Sequence, residues 1–358
     1  MNKPKVLLIQ DVITSYRDPI YALINRQVDL TVGYTTFSEV EEPTYRIVFM
    51  PFKKIGRVIW HNEFRKTINQ YDAVVFMPYL KMMRLVVLPF LPHKPKLISW
   101  SIGVYASYTR PYNLKKKPDF LDKLFETIQD HADACVFYTR EPIEYWRKYR
   151  KIDEKKYFVA HNTVAVAPLE KVEFAVRNLI LFVGTLYKQK GIGELLSCYA
   201  KAKEKTKCLP QLIIVGKGPE KDAIEAQINL LHIENDVELT GPIYDEEILK
   251  NYFAKAIVCI SPKQAGLTVL KSLGYGVPFV TRTDAITGGE KVNIISGETG
   301  LFYDSEEELI EIISKTATER QFFSAMSESA LRYYRTKASP ELMAQGVVDA
   351  IRYSLRNR

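Results

Sequence analysis

Short runs of β-branched and aromatic residues alternate with helical patterns along almost the whole chain, and this alternation limits the fold more than any other feature. In the first half the strand-like runs are residues 6–9, 30–34, 73–76, 96–100, 135–138 and 157–160. The gaps between them are mostly long enough for a helical crossover, the connection that parallel strands require. A second series begins at 179–183 and continues at 212–215, 237–239, 257–260 and 279–281. The restart predicts an α/β protein of two Rossmann-like domains, residues 1–165 and 166–339, joined around residues 163–177. Helical spacing recurs in Ile192, Leu195, Leu196 and Tyr199, and again in Ile248, Leu249, Tyr252 and Phe253 after Asp245. Ser305 and Glu308 form a capping box ahead of Leu309, Ile312 and Ile313. The pattern from Leu342 to Leu355 reads as a closing helix, within residues 340–358, that packs back on the first domain.

With 358 residues the chain has room for two cores, and 47% hydrophobic with 26% charged residues suits a soluble globular protein. No segment reaches the roughly 18 uncharged apolar residues of a membrane span, and no signal peptide is visible, so a cytoplasmic location is expected. Cys135, Cys198, Cys208 and Cys259 lack metal spacing and read as reduced core or surface residues. Charge is divided unevenly. Residues 1–165 carry 26 Lys and Arg against 17 Asp and Glu, whereas the remainder carries 24 against 25. A basic first half attached to a near-neutral second half suggests an anionic partner for the first, a membrane surface, nucleic acid or a phosphorylated substrate, and fits ordinary solubility charge equally well.

Five turns carry the chemistry. Gly184-Thr185-Leu186-Tyr187-Lys188-Gln189-Lys190-Gly191 follows a strand and opens a helix, which supplies free backbone N–H groups, a helix dipole and a mobile cation to a diphosphate. Gly216-Lys217-Gly218-Pro219-Glu220 closes the next strand but lacks the third glycine of a dinucleotide fingerprint. Asp11 follows the first strand of the chain where that fingerprint would need glycines, so nicotinamide and flavin chemistry are disfavoured. Thr240-Gly241-Pro242 and Gly297-Glu298-Thr299-Gly300 are further turns. Residues 261–278 place a glycine turn before a short apolar helix that breaks at Gly276-Val277-Pro278.

In this order and spacing, residues 179–303 resemble the donor half of family-4 (group 1) glycosyltransferases of GT-B fold. The resemblance implies two Rossmann-like domains facing a cleft and transfer of a sugar from a UDP- or GDP-sugar with retention of configuration. It also implies that no metal or other cofactor is needed, in line with the missing Asp-x-Asp motif. The donor would be held by Gly184, Thr185, Gly191, Gly216, Gly266, Leu267 and Thr268, with Lys190 as the cation and the base near Pro242 and Ile243. Two departures stand out. Lys263 and Lys271 occupy positions where the family has glutamates eight apart, and Thr185 replaces an arginine. On this reading Lys271 reaches phosphate or ribose oxygens, Lys263 lies at the sugar and Glu290 takes a sugar hydroxyl. The other readings are a nucleotide-sugar epimerase of the same fold and a transferase-like protein that has lost catalysis; a nucleic-acid binder has the charge but no module.

In the first domain Asp11, Tyr16 and Arg17 follow the first strand, and Trp100, Ser101 and Gly103 end another at the same sheet edge, where ligands of such sheets bind. These six are the acceptor candidates. The expected acceptor is a lipid-linked glycan or polysaccharide, as in surface polysaccharide synthesis. Residues 81–96 and Lys115-Lys116-Lys117 combine cations with apolar residues and suit a peripheral contact with anionic lipid, although 84–91 reads better as a core helix with solvated lysines.

Overall fold

The computed structural model describes residues 3–106, 110, 112–168 and 174–356. The proposed joint at 163–177 is thus described only in part, since 169–173 lie outside. The chain divides into two compact units, Met1–Val164 with Ser339–Arg358, and Ala165–Ala338.

The strands of the first unit are β1 (Lys5–Ile13), β2 (Asp29–Ser38), β3 (Arg46–Phe49), β4 (Phe52–Ile55), β5 (Val58–His61), β6 (Ala73–Phe76), β7 (Lys96–Ser101), β8 (Ala134–Phe137) and β9 (Tyr157–Val159). Seven of them form one parallel sheet in the order β3-β2-β1-β6-β7-β8-β9. Central strands are apolar on both faces because helices cover both. Val6 and Leu8 of β1, with Val75, Ile98 and Val136, make one core layer; Leu7, Ile9, Val74 and Phe76 make the other. The helix Pro340–Arg356 belongs to the first layer through Met343, Val347, Val348 and Ile351. Its contact with β9 is so close that a side chain on Gly346 would sit 2.3 Å from the Val159 carbonyl. The C-terminal helix therefore packs on the first unit's sheet.

Sequence pattern misses edge strand β3 and the antiparallel hairpin β4–β5. These runs are only four residues long and largely exposed or half-buried, so burial does not mark them.

The second unit contains β10 (Leu179–Val183), β11 (Gln211–Val215), β12 (Val237–Gly241), β13 (Ala256–Ile260), β14 (Gln264–Ala265), β15 (Phe279–Arg282), β16 (Ile286–Thr287) and β17 (Gly300–Tyr303). Six make a second parallel sheet, β12-β11-β10-β13-β15-β17, while β14 pairs with β16 alone. The helices Ile192–Lys205 and Glu306–Thr318 bury Leu195, Leu196, Tyr199, Leu309 and Ile313 against Phe182, Ile214 and Val280. Ser305 caps the latter helix by accepting from the Glu308 N–H at 3.2 Å, but Glu308 reaches the Asp304 N–H, so the capping box is half formed. Cys135, Cys198 and Cys259 are buried, Cys208 is exposed, and all four are free. Among the described residues no helix is long and apolar enough to cross a membrane.

Candidate functional site

In each sheet the strand order reverses beside its first strand, between β1 and β6 in one unit and β10 and β13 in the other. At such a point the loops leave in opposite directions and open a crevice beyond the carboxyl ends of the strands. In the second unit β10 runs into Gly184 and β13 into Ser261-Pro262-Lys263.

The turns around this crevice are locked backbone to backbone. The Gly184 N–H donates to the Val215 carbonyl at 3.0 Å and the Leu186 N–H to Lys217 at 2.9 Å. A Cβ at Gly216 would lie 1.9 Å from the Gly184 carbonyl oxygen, so only glycine fits there. Gly191, at φ +74°, turns the chain from the short 3-10 turn Lys188–Lys190 into the helix Ile192–Lys205. The Lys263 N–H donates to the Lys190 carbonyl at 3.3 Å, and the Tyr187 hydroxyl to Gln264 Oε1 at 2.5 Å. Gly184, Lys190, Gly191, Gly216 and Lys263 thus form one cluster. Thr268 joins it through a 3.4 Å bond from its hydroxyl to the Val183 carbonyl. Gly266 faces open space, with no atom within 4 Å of where a Cβ would be, and Leu267 beside it is half-buried. Thr185 points outward and is exposed.

Lys190 is the unusual group. Its side chain is buried, with 8% of the residue exposed, and its ammonium lies over Gly184, 3.3 Å from where a Cβ would stand. Among the described residues it makes no ion pair; the Tyr187 ring, 5.9 Å away, is its aromatic neighbour. Burial pulls its pKa below the ordinary lysine value.

Both substituted lysines have partners. Lys271 Nζ lies 2.7 Å from Glu246 Oε2, and the Tyr275 hydroxyl donates to Glu246 Oε1 at 2.8 Å. Lys271 is therefore held by a carboxylate from the first turn of the helix Glu246–Lys255. This changes the reading of Lys271 as a free cation for phosphate, because Glu246 already neutralises it. Lys263 Nζ is 3.3 Å from Glu194 Oε2; Glu194 also receives the Tyr303 hydroxyl at 2.9 Å and lies 3.6 Å from Arg282. Lys263 lines a cavity of about 230 Å³ with Tyr187, Gly191, Glu194 and Gln227, and one of about 470 Å³ with Gln189, Arg282 and Asp284.

Glu290 is buried and turned onto its own loop. Its Oε2 accepts from the Gly288 N–H at 2.9 Å and lies 3.3 Å from the Thr287 hydroxyl. Pairing of Ala265 with Thr287 brings that loop beside Gly266, but the carboxylate serves as an internal cap. Pro242 is exposed and Ile243 half-buried beyond the end of β12. Next to them Tyr244 is 76% exposed, with Lys217 Nζ 5.3 Å from its ring centre. Glu194, Glu246, Tyr187 and Arg282 were missed in sequence because their relevance lies in partners remote along the chain. No group of three or more His, Cys, Asp or Glu among the described residues is placed to hold a metal ion.

The acceptor candidates in the first unit divide. Asp11 stays at the crevice between β1 and β6, bound by the Thr36 hydroxyl at 2.7 Å and paired with Lys81, and Tyr16 is 41% exposed. The other four are corrected. Arg17 is buried, donating to Asn162 Oδ1 at 2.7 Å and the Tyr138 hydroxyl at 3.3 Å. Trp100 is wholly buried, edge-on to Tyr138 at 6.0 Å. Ser101 is bonded to Gln129, and a Cβ on Gly103 would meet Pro142 at 2.3 Å. These residues build the floor beneath the crevice and present no surface to an acceptor.

Two Rossmann-like units, each with a switch-point crevice, constitute the GT-B fold. Residues 170–332 match the family described as Glycosyl transferases group 1, so it is the second unit that carries the group 1 pattern. HepE of Anabaena, solved with UDP, is similar over 97% of this chain and 99% of its own, at TM-score 0.72 and 14% identity. A glycosyltransferase from Rickettsia africae is similar over the full length of both chains, at TM-score 0.70 and 16% identity. In sequence, 137 residues are 26% identical to 2-deoxystreptamine N-acetyl-D-glucosaminyltransferase of Niallia circulans, covering 37% of this chain and 34% of that protein. A further 26% match over 208 residues, 52% of this chain and 51% of the relative, is to N-acetyl-alpha-D-glucosaminyl L-malate synthase of Bacillus anthracis. The chain thus spans about a third and a half of the curated relatives it matches.

Proposed function

We propose that this protein is a glycosyltransferase that moves a sugar from a nucleotide diphosphate sugar to a glycan acceptor. The observation that carries this reading is Lys190. A buried ammonium without a carboxylate is costly unless an anion completes it, and Lys190 lies at the switch point beside the N-terminal turn of a helix that also favours anions. In the proposed reaction Lys190 and the first-turn N–H groups meet the charge that grows on the departing diphosphate, a purely electrostatic form of catalysis. The acceptor oxygen bonds to the anomeric carbon on the face from which the diphosphate leaves, the carbon–oxygen bond to phosphate breaks, and the departing phosphate oxygen takes the acceptor's proton, so configuration is retained without a protein nucleophile. These groups neutralise the leaving group in place of a metal.

The Lys271–Glu246 pair supports an altered donor site over a lost one. A carboxylate stands next to position 271 after all, supplied by another helix. The structural neighbour solved with UDP favours a UDP-sugar as donor, with GDP-sugars second. The basic first half supports a lipid-linked or polysaccharide acceptor, in surface polysaccharide synthesis at the inner face of a membrane. The test is turnover of UDP- and GDP-sugars with a lipid-linked glycan, with and without EDTA. Transfer that survives chelation and keeps the donor's anomeric configuration is expected. Interconversion of the nucleotide sugar without acceptor would assign an epimerase, and binding without any turnover an inactive relative.

A further inference from the structure

The hairpin β4–β5 holds none of the residues assigned to the donor site or the acceptor crevice. It leaves the carboxyl end of edge strand β3, and the Asn62 N–H closes it onto the Pro51 carbonyl at 2.7 Å. Lys53 pairs with Trp60 and Ile55 with Val58, so these four side chains share one face. Phe52, Lys54, Ile59 and His61 share the other, and there Ile59 and His61 are buried. The first face therefore looks outward. Ile55 at the tip is 65% exposed, next to the turn at Gly56 and Arg57. On the same face the Arg84 guanidinium stacks 4.0 Å from the centre of the Trp60 ring. The hairpin is also braced, because the Ile59 N–H donates to the Lys81 carbonyl at 2.7 Å.

Charge on the hairpin has a single sign. No acidic residue occurs between Glu42 and Glu63. Among the described residues Lys53, Lys54 and Arg57 take part in no ion pair. The segment that sequence alone marked for lipid contact behaves differently: Met82, Leu85 and Leu88 are buried, Lys81 pairs with Asp11, and Lys96 pairs with Asp133 at 2.7 Å.

We propose that the outward face of the β4–β5 hairpin is a docking surface for an anionic phospholipid membrane. Ile55 enters the headgroup boundary, Trp60 lies at the interface, and Lys53, Arg57 and Arg84 meet lipid phosphates. An apolar tip ringed by unpaired cations matches that boundary in both polarity and charge. Nucleic acid fits less well, since an exposed isoleucine offers a base neither stacking nor a hydrogen bond. The surface deepens the membrane part of the proposed function. Vesicle binding is measured without donor or acceptor, so its failure leaves the transfer reaction standing.

The experiment is cosedimentation of the full-length protein with vesicles of phosphatidylcholine alone and of a two-to-one mixture with phosphatidylglycerol. Binding to the anionic vesicles only, weakening with salt, is expected. Lys53→Gln with Arg57→Gln should weaken it roughly 25-fold, at about five-fold per cation. Lys205→Gln with Lys207→Gln, exposed positions of the second unit, should leave it unchanged. Trp100 and Trp146 are buried, so a blue shift of emission with vesicles, quenched by brominated lipid and abolished by Trp60→Phe, reports the hairpin itself. Equal binding to both vesicle types, or wild-type binding by a hairpin variant with unchanged melting temperature, overturns the proposal. So does hairpin-dependent retention on an oligonucleotide in place of vesicles.

Discussion

Lys190→Met is the sharpest test of the donor site, because it is expected to change stability and binding in opposite directions. Methionine keeps the apolar stem of a side chain that is 8% exposed and removes only the ammonium. In the unliganded protein that ammonium has the Tyr187 ring at 5.9 Å and no carboxylate among the described residues to compensate its desolvation. Its removal should stabilise the free protein by about 1–2 kcal/mol, a rise of about 2–8 °C in melting temperature for a unit of this size. Burial lowers the lysine's pKa in the folded state, so the unfolded state binds more protons just below the ordinary lysine value. Stability of the wild type should consequently rise with pH in that alkaline range, and the variant should lack the rise. With a nucleoside diphosphate bound the sign reverses. Loss of one charge-assisted contact, about 1.5–3 kcal/mol, predicts binding about 10- to 150-fold weaker. Differential scanning fluorimetry with and without UDP or GDP, followed by calorimetric titration, measures both. A variant that melts lower and binds as tightly as wild type would make Lys190 a packing residue and remove the diphosphate from this crevice.

Other consequences follow from the packing and charge pairs. Gly216→Ala drives a Cβ to 1.9 Å from the Gly184 oxygen, and should cost at least about 3 kcal/mol and abolish nucleotide-induced stabilisation; unchanged melting would refute the interlocked turns. Lys271→Glu puts a second carboxylate beside Glu246, and adding Glu246→Lys should restore the pair. At 22% and 39% side-chain exposure the coupling is expected to be on the order of 1 kcal/mol in a double-mutant unfolding cycle, and zero coupling would mean no functional pair. In the first unit, burial pushes the Glu126 carboxyl up to about 7 against the opposing charge of Arg150 2.7 Å away. The folded state then holds the extra proton between the ordinary glutamate pKa and about 7, so stability falls as pH rises through that window, by up to about 1.4 kcal/mol per unit. Glu126→Gln should flatten the profile, and parallel melting curves for both proteins from pH 5 to 7.5 would refute it.

How much of this was legible beforehand depended on the range of the interaction. The long apolar strands were plain, because burial on both faces imposes runs such as residues 179–183. Short elements with one wet face, β3 and the β4–β5 hairpin, left no comparable mark. Trp100 and Arg17 were misplaced as acceptor contacts because lying near a strand's carboxyl end does not say whether a side chain points up into the crevice or down into the core.

The α/β class, the restart of the strand series at Leu179, the glycines at the turns and the lysine at the head of the helix Ile192–Lys205 were all readable along the chain. These are properties of local backbone conformation and hydrophobic period. The strand orders that put the crevices beside β1 and β10 came from long-range packing. The same packing makes Lys271 meet Glu246 and Lys263 meet Glu194, while among the described residues Lys190 has no such partner and Lys53 and Arg57 stay unpaired on an outward face. A charge acquires its meaning from what folding brings within a few ångströms of it, and that distance is not a local property of the chain.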